Sequence, residues 1–176
     1  MVACHRRIER FLAVLVDLAM RRRGHTLSGP ERDAMEPALR YFRDAAPHHT
    51  ADEERGLFPA LGIARTGGER VVSALERDHR RAEGLHWTVD RLGLLWITDG
   101  TLAERKVIQL QAALGELSAL YREHIGVEEE HIFPTARTVL SRKVLENIGR
   151  GMAARRGIAY IPATVRGNAR AARTLL

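Results

Sequence analysis

The feature that most constrains this chain is a pattern of histidine and glutamate residues that occurs once in each half. In each half a His-x3-Glu pair is followed by a second His-x3-Glu pair, after 44 residues in the first half and 45 in the second. Duplication of this kind indicates two copies of one helix pair, and it predicts a pseudo-symmetric site for two metal ions. The equivalent residues are His5 and His79, Glu9 and Glu83, His49 and His124, and Glu53 and Glu128.

The helices can be placed by their start and stop signals. A Ser/Thr-x-x-Glu capping box occurs at Ser28, Thr66 and Thr101, and Gly24 follows the first helical stretch. We expect four long helices at residues 3–23, 30–64, 69–96 and 102–140, and a short fifth helix at 141–156 that caps one end. The short connections favour an antiparallel up-down-up-down four-helix bundle, so the predicted fold class is all-α.

The predicted helix lengths bring the four histidines to one level. In each half, 18 residues separate the histidine of one helix from the turn and 18 more lead to the histidine of the next, about 27 Å in each direction. Within a helix, residues four apart share a face, so each second His-x3-Glu pair presents two ligands together. The predicted metal ligands are His5, His49, Glu53, His79, His124 and Glu128.

The ligand types limit the metal. Four imidazoles and two carboxylates favour iron, manganese or zinc over copper(I), and Glu53 and Glu128, on opposite helices, are placed to bridge two ions. Six side chains underfill two octahedral ions, which leaves positions for water, an oxo or hydroxo bridge and a small ligand such as O2, peroxide or NO. Cys4 lies beside His5, but we expect an incidental thiol there and not a ligand.

Two further histidines lie two helical turns after a predicted ligand. His86 follows His79 by seven residues and His131 follows His124 by seven, so each returns to its ligand face. Direct coordination, a secondary site, a hydrogen bond to a ligand and simple packing all remain open for them. Any such role breaks the symmetry, because the first half has no histidine at either equivalent position.

Three more residues are candidates for positions around the ligands. Glu9 and Glu83 are expected to orient a histidine or to bind a surface arginine, with direct ligation as the alternative. Tyr121, one turn before a predicted ligand, is a candidate hydrogen-bond donor to a bound oxygen species, with packing as the alternative. Four other polar residues are expected at the surface: His25, His48, Glu54 and Glu129.

Three prolines interrupt helical stretches close to the predicted ligands. Pro47 precedes the first-half His-x3-Glu pair, while Pro59 and Pro134 follow the two pairs at equivalent positions. A proline inside a helix kinks or ends it. Two interpretations therefore stand side by side: kinks that aim ligands inward, or plain helix ends.

At these residues the chain resembles the hemerythrin-like, or HHE cation-binding, domains. The resemblance rests on the six predicted ligands and on the following Leu57-Phe58-Pro59 and Ile132-Phe133-Pro134, and it covers residues 3–156. It implies a four-helix bundle around a non-haem di-iron centre, with histidines as terminal ligands and two glutamates as bridges. Functions in that family include O2 carriage, sensing of O2, NO or iron, peroxide handling and repair of iron centres.

Two departures bear on the choice among these functions. The O2-carrying hemerythrins have a second histidine four residues after the first on the third helix, where this chain has Glu83. They also bridge the metals with an aspartate five residues after the last histidine, whereas this chain has Glu128 four residues after it. These differences argue against simple reversible O2 carriage.

The net charge of +6 comes from one end of the chain. Residues 147–176 contain no acidic residue, and they hold Arg150, Arg155, Arg156, Arg166, Arg170 and Arg173. We expect a bundle domain over residues 1–156 and a basic, solvated tail over 157–176. Without interleaved aromatic residues or a known motif, binding of nucleic acid is not favoured, and a protein partner or a homodimer remains open.

Length and composition favour one cytoplasmic domain. With 176 residues and 45% hydrophobic content, the chain can bury one core. No stretch is apolar enough to span a membrane, the first residues lack the pattern of a secretory signal, and the single cysteine fits a reducing compartment.

Together these features predict a non-haem di-iron protein that binds or senses O2, NO or peroxide. The expected cofactor is two iron ions with an oxo or hydroxo bridge, and manganese or zinc is the alternative. One alternative function is a di-iron enzyme that removes peroxide. Another is a metal-sensing regulatory bundle that acts through a partner bound by its basic tail.

Overall fold

A computed structural model describes residues 1–63 and 68–161, and these residues form helices and turns without any strand. The prediction of an all-α fold is confirmed. Within the described ranges, no helix combines the length and apolar content that crossing a membrane requires. The helices are α1 (Val2–Arg22), α2 (Gly29–Arg40), α3 (Ala46–Asp52), α4 (Phe58–Ile63), α5 (Glu69–Asp99), α6 (Glu104–Val127), α7 (Phe133–Val139) and α8 (Arg142–Arg155), with π-helical turns at Tyr41–Ala45, Glu53–Leu57 and Glu128–Ile132.

The helices group into four long rods that enclose two buried apolar clusters. The rods are α1, the series α2 to α4 with its two π-helical turns, α5, and the series α6 to α7 with its one. Helix α1 packs on α2 and α6, and α5 packs on the same two helices, so the rods form a closed ring. All but one of the largest buried apolar side chains lie in the larger cluster, and the exception, Leu75, lies in the smaller one. Those of the larger cluster are Trp96, Ile8, Leu15, Met35, Leu39, Leu92, Leu110, Leu114 and Leu117.

Two of the three predicted capping boxes fall on described residues, and one of them forms. The carboxylate of Glu31 accepts a hydrogen bond of 2.8 Å from the backbone N–H of Ser28, which caps α2. The box predicted at Thr101 is wrong, because the helix begins two residues late, at Glu104. Thr66 and the predicted end of the second rod at residue 64 lie outside the described residues.

A contact between two connections explains the late start of α6. The backbone N–H of Leu102 donates to the carbonyl of Gly24, at 2.8 Å, and so ties the α1–α2 connection to the α5–α6 connection. Gly24 has a φ of 80°, and a Cβ atom there would collide with the Leu102 carbonyl. This tertiary bond keeps Leu102 out of the helix and closes the end of the bundle far from the predicted ligands.

The three π-helical turns have a common feature in the sequence. Each is followed by an α-helix whose second residue is a proline, namely Pro47, Pro59 or Pro134. Proline has no N–H to donate, so the carbonyl four residues earlier loses its α-helical partner and the preceding turn widens. The helices continue beyond each proline, so the prolines change the helix register where the ligands lie and do not act as plain helix ends.

Helix α8 is joined to the first half of the chain by an ion cluster. It packs on α3 and on the turn Glu53–Leu57. The side chain of Asp52, at the end of α3, is fully buried, and its Oδ1 accepts a hydrogen bond of 2.7 Å from Nε of Arg155. A guanidinium nitrogen of Arg156 lies 2.7 Å from the other oxygen. Two of the arginines that make the C-terminal region basic are therefore part of the folded body, beside the predicted site and not at a free end.

Candidate metal centre

All six predicted ligands converge in the middle of the bundle. His5 lies on α1, His49 on α3 and His124 on α6, and all three are buried. Glu53 and Glu128 are fully buried, and each is the first residue of a π-helical turn. Donor atoms lie within 4.8 Å of one another in two groups that share one glutamate: His5, His49, Glu53 and Glu128 in the first, and Glu53, His79 and His124 in the second.

Each of the two glutamates divides its carboxylate oxygens between the two halves of the chain. One oxygen approaches a histidine of the first half, and the other approaches a histidine of the second half. This is the arrangement of a carboxylate that can bridge two ions. The nitrogen–oxygen distances are 3.2 Å from His49 Nε2 to Glu53 Oε1, 3.3 Å from His79 Nε2 to Glu53 Oε2, 3.1 Å from His5 Nε2 to Glu128 Oε2, and 3.6 Å from His124 Nε2 to Glu128 Oε1.

Among the described residues, five of these converging atoms make no hydrogen bond, whereas Nε2 of His79 and Nε2 of His124 share one of 3.2 Å. Both oxygens of Glu53, both oxygens of Glu128 and Nε2 of His5 are buried and make no hydrogen bond within the described part of the chain. Burial of an ionised carboxylate without a partner costs several kcal/mol. A cation between the two carboxylates would remove that cost, so the donor set fits a metal centre.

Burial of these ionisable groups also shifts their pKa values. Burial, followed by the negative charge of Glu128, raises the pKa of Glu53 well above its usual value. Burial also acts upward on the pKa of Glu128, but the approach of His124 and His5 outweighs it and lowers that pKa to about 2. Burial lowers the pKa of His49 to about 3. The His49 imidazole is thus neutral at physiological pH, which is the form that binds a metal.

Two further carboxylates hold the outer sides of the ligand rings. Nδ1 of His5 donates to Glu129 at 2.8 Å, and Nδ1 of His79 donates to Glu54 at 2.9 Å. The prediction that Glu54 and Glu129 are free surface charges is therefore wrong. Both directly follow a glutamate of the predicted ligand set, where the π-helical turn changes the direction that an ideal α-helix would give. Carboxylates on the far ring nitrogen fix the tautomer and orientation of a ligand histidine.

The two glutamates expected to orient histidines lie farther out. Arg6 donates to Glu9 at 2.8 Å and to Glu129 at 3.0 Å, so Glu9 binds a surface arginine, as one of its alternatives had it. Glu83 is exposed. The sequence did carry a signal for the inner carboxylates, because a Glu-Glu pair follows the second histidine by four residues in both halves.

The remaining candidates for positions around the ligands have different environments. His86 and Tyr121 lie in one hydrogen bond, with Nε2 and Oη 2.7 Å apart, and the His86 ring stacks on Phe42 with centroids 4.6 Å apart. His131 is exposed and belongs to neither donor group. The turn Glu128–Ile132 is π-helical, so seven residues after His124 no longer return to the ligand face. Cys4 is half-buried and also stands outside both groups.

Comparison with known proteins agrees with this arrangement. Residues 1–136 match the hemerythrin HHE cation-binding domain. The chain belongs to this family. A hemerythrin HHE assignment accounts for the all-helical fold and for the buried His/Glu cluster. The chain is also 30% identical, over 159 residues, to an uncharacterised protein of Haemophilus influenzae, a match that covers 89% of this chain and 87% of that protein.

Proposed function

We propose that this chain holds two iron ions, one at each histidine pair, and binds or senses O2, NO or peroxide there. The observation that supports the proposal is the division of each buried carboxylate between the two halves. In this proposal the four histidines are terminal ligands and Glu53 and Glu128 are bridges, and manganese or zinc is the alternative metal. Bound iron supplies Lewis-acid and one-electron redox chemistry at a small ligand.

The protein's own contribution would be orientation and exclusion of water. Glu129 and Glu54 accept hydrogen bonds from the Nδ1 atoms of two of the histidine rings, and the proposed bridging carboxylates are fully buried. Six side chains leave room on two octahedral ions for a small exogenous ligand. An apolar bundle around such a centre limits water and protects a redox-active ligand.

The proposal extends to the rest of the chain. The four rods would run up-down-up-down, with residues 1–156 as the domain, residues 157–176 as a basic tail and the cytoplasm as the location. A protein partner remains a candidate for that tail, and pairing of surface helices from two copies of the chain remains a candidate for a homodimer. The arginine pair on Asp52 supports a domain boundary after α8, because it fastens the end of that helix to α3.

The first experiment is elemental analysis combined with a visible spectrum, before and after addition of O2, peroxide or NO. We expect about two irons per chain and a spectrum that one of these ligands changes. Glu53→Ala and Glu128→Ala should each lose metal from both positions, because each carboxylate faces both halves. Glu130→Ala is the matched control, since that glutamate is exposed and adjacent to the site.

Retention of two irons by both glutamate variants would contradict the proposed ligand set. Consumption of peroxide by the iron-loaded protein, abolished in His49→Ala, would assign the enzymatic alternative. Zinc without visible bands, or one metal per chain, would indicate a structural or metal-sensing centre.

A further inference from the structure

A cavity of about 280 Å³ lies beside the second-half histidines. His79, a predicted ligand, and Glu54, its hydrogen-bond partner, contribute to its wall. So do His86 and Tyr121, the hydrogen-bonded pair described above, and Ala46. The cavity therefore joins a predicted metal position to a polar pair that the ligand set does not use.

The polar pair has one proton more than its own hydrogen bond needs. Burial lowers the pKa of His86 to about 4, and burial raises the pKa of Tyr121, so the imidazole is neutral and the phenol is protonated at physiological pH. A neutral imidazole and a phenol each carry one donor hydrogen, and the bond between them uses one. One donor is left for another acceptor.

The surroundings of His86 identify that donor. Its Nδ1 is buried and makes no hydrogen bond within the described residues. An N–H group buried there would be an orphan donor, which is rarer and more costly than an unused acceptor. The proton therefore sits on Nε2, which donates to the Tyr121 oxygen, and the Tyr121 hydroxyl keeps its own proton for an acceptor in the cavity.

The first half of the chain has no equivalent hydrogen-bonded pair. The positions equivalent to His86 and Tyr121 are Leu12 and Ala46, neither of which carries a donor hydrogen on its side chain. A cavity of about 300 Å³ does lie on that side, with Leu12, Ala13 and the other side of Tyr121 in its wall, but without His86. Its lining does not include His5 or Glu129. Only the second-half cavity of this pair reaches a predicted ligand.

We infer that the cavity beside His79 admits a small hydrogen-bond-accepting ligand of the peroxide or azide class, and that the Tyr121 hydroxyl donates to it. His86 is a positioning residue, because it holds the phenol oxygen and leaves the phenol hydrogen free. The inference rests on the proposed function, and it adds that the two metal positions are unequal, with exogenous ligand bound at the His79 side.

The affinity of the iron-loaded protein for azide tests the donor. Tyr121→Phe removes one hydrogen bond to a charged ligand, so we expect about tenfold weaker azide binding in a spectroscopic titration. Tyr41→Phe is the control, because that phenol donates to the carbonyl of Cys4 and lies outside the cavity lining. Its azide affinity and iron content should equal those of the wild type.

The rate of azide binding tests the route. Ala46→Leu places a larger side chain in the cavity wall and should slow azide association at least tenfold, whereas Ala13→Leu, in the counterpart cavity, should not change it. If Tyr121→Phe loses iron, the Ala46→Leu and Ala13→Leu variants still test the inference.

The outcomes separate the inference from the proposed function. Two irons in each variant, with wild-type azide affinity in Tyr121→Phe and wild-type association rate in Ala46→Leu, would overturn the inference and leave the proposed function standing. A wild-type protein that takes up no iron would overturn both.

Discussion

The two halves of the molecule are nearly the same at the centre and different around it. Each half supplies two histidines and one glutamate, and each supplies the second carboxylate that holds a histidine of the other half. Two surrounding features differ between the halves. The first half has Asp52, Leu12 and Ala46 where the second has Val127, His86 and Tyr121. The two halves therefore share their donor groups, while the first half anchors α8 through Asp52 and the second half supplies the His86–Tyr121 pair.

The largest effect should come from breaking the anchor of the first half. Asp52→Ala leaves the guanidinium groups of Arg155 and Arg156 without their anion, so we expect a loss of about 3 kcal/mol in the free energy of unfolding. Val127→Ala, at the equivalent half-buried position, should cost about 1 kcal/mol. Urea unfolding of the metal-free protein measures both. Equal losses in the two variants would refute an anchor specific to the first half.

The next effect concerns pH and the second half. The pKa of His86 is about 4 in the folded protein against 6.5 for a free histidine. Between these values the unfolded chain binds more protons, so the free energy of unfolding falls as pH falls, by up to about 3 kcal/mol for this group. His86→Leu makes the position like Leu12 and should flatten the pH dependence of urea unfolding between pH 6.5 and 4. A slope that His86→Leu leaves unchanged would count against the buried neutral imidazole.

The smallest effect should be a loss of metal affinity that is similar in the two halves. Glu129→Gln weakens the support of His5, and Glu54→Gln weakens that of His79. Each change should reduce metal affinity by about tenfold to a hundredfold, because the outer carboxylate fixes the ring orientation and raises its basicity. Competition with a chelator measures the affinity, and Glu130→Gln serves as the control. A large loss of metal affinity in one variant with none in the other would show that the halves also differ in the carboxylates that bind the histidine rings.

The carboxylates around the histidines show where sequence reasoning reached its limit. The His-x3-Glu spacing predicted that Glu53 and Glu128 face inward, and both are fully buried. The same helical geometry placed Glu54 and Glu129 outward, and that was wrong. An ideal α-helix has 3.6 residues per turn, whereas the prolines after these residues widen the turn to a π-helix. Proline at a known position was a visible signal but not a sufficient one, because Pro37 lies inside α2 without a π-helical turn before it.

His86 and His131 also show that local spacing does not fix the direction of a side chain. Both follow a predicted ligand by seven residues, and spacing alone could not distinguish them. His86 lies in the uninterrupted α5 and faces the bundle, whereas His131 lies in a π-helical turn and faces solvent. The distinction comes from helix continuity, which a local pattern does not report.

Periodicity and duplication in the chain were enough to predict the all-α class and the convergence of His and Glu side chains into one buried cluster. These follow from properties local to a helix: its rise per residue, its repeat and its capping residues. The packing of distant segments determined the rest. The bond of Leu102 to Gly24, the anchoring of α8 on Asp52 and the pairing of His86 with Tyr121 each join residues far apart in sequence. Such contacts depend on which helix faces meet, and that is settled only when all the rods bury their apolar sides together.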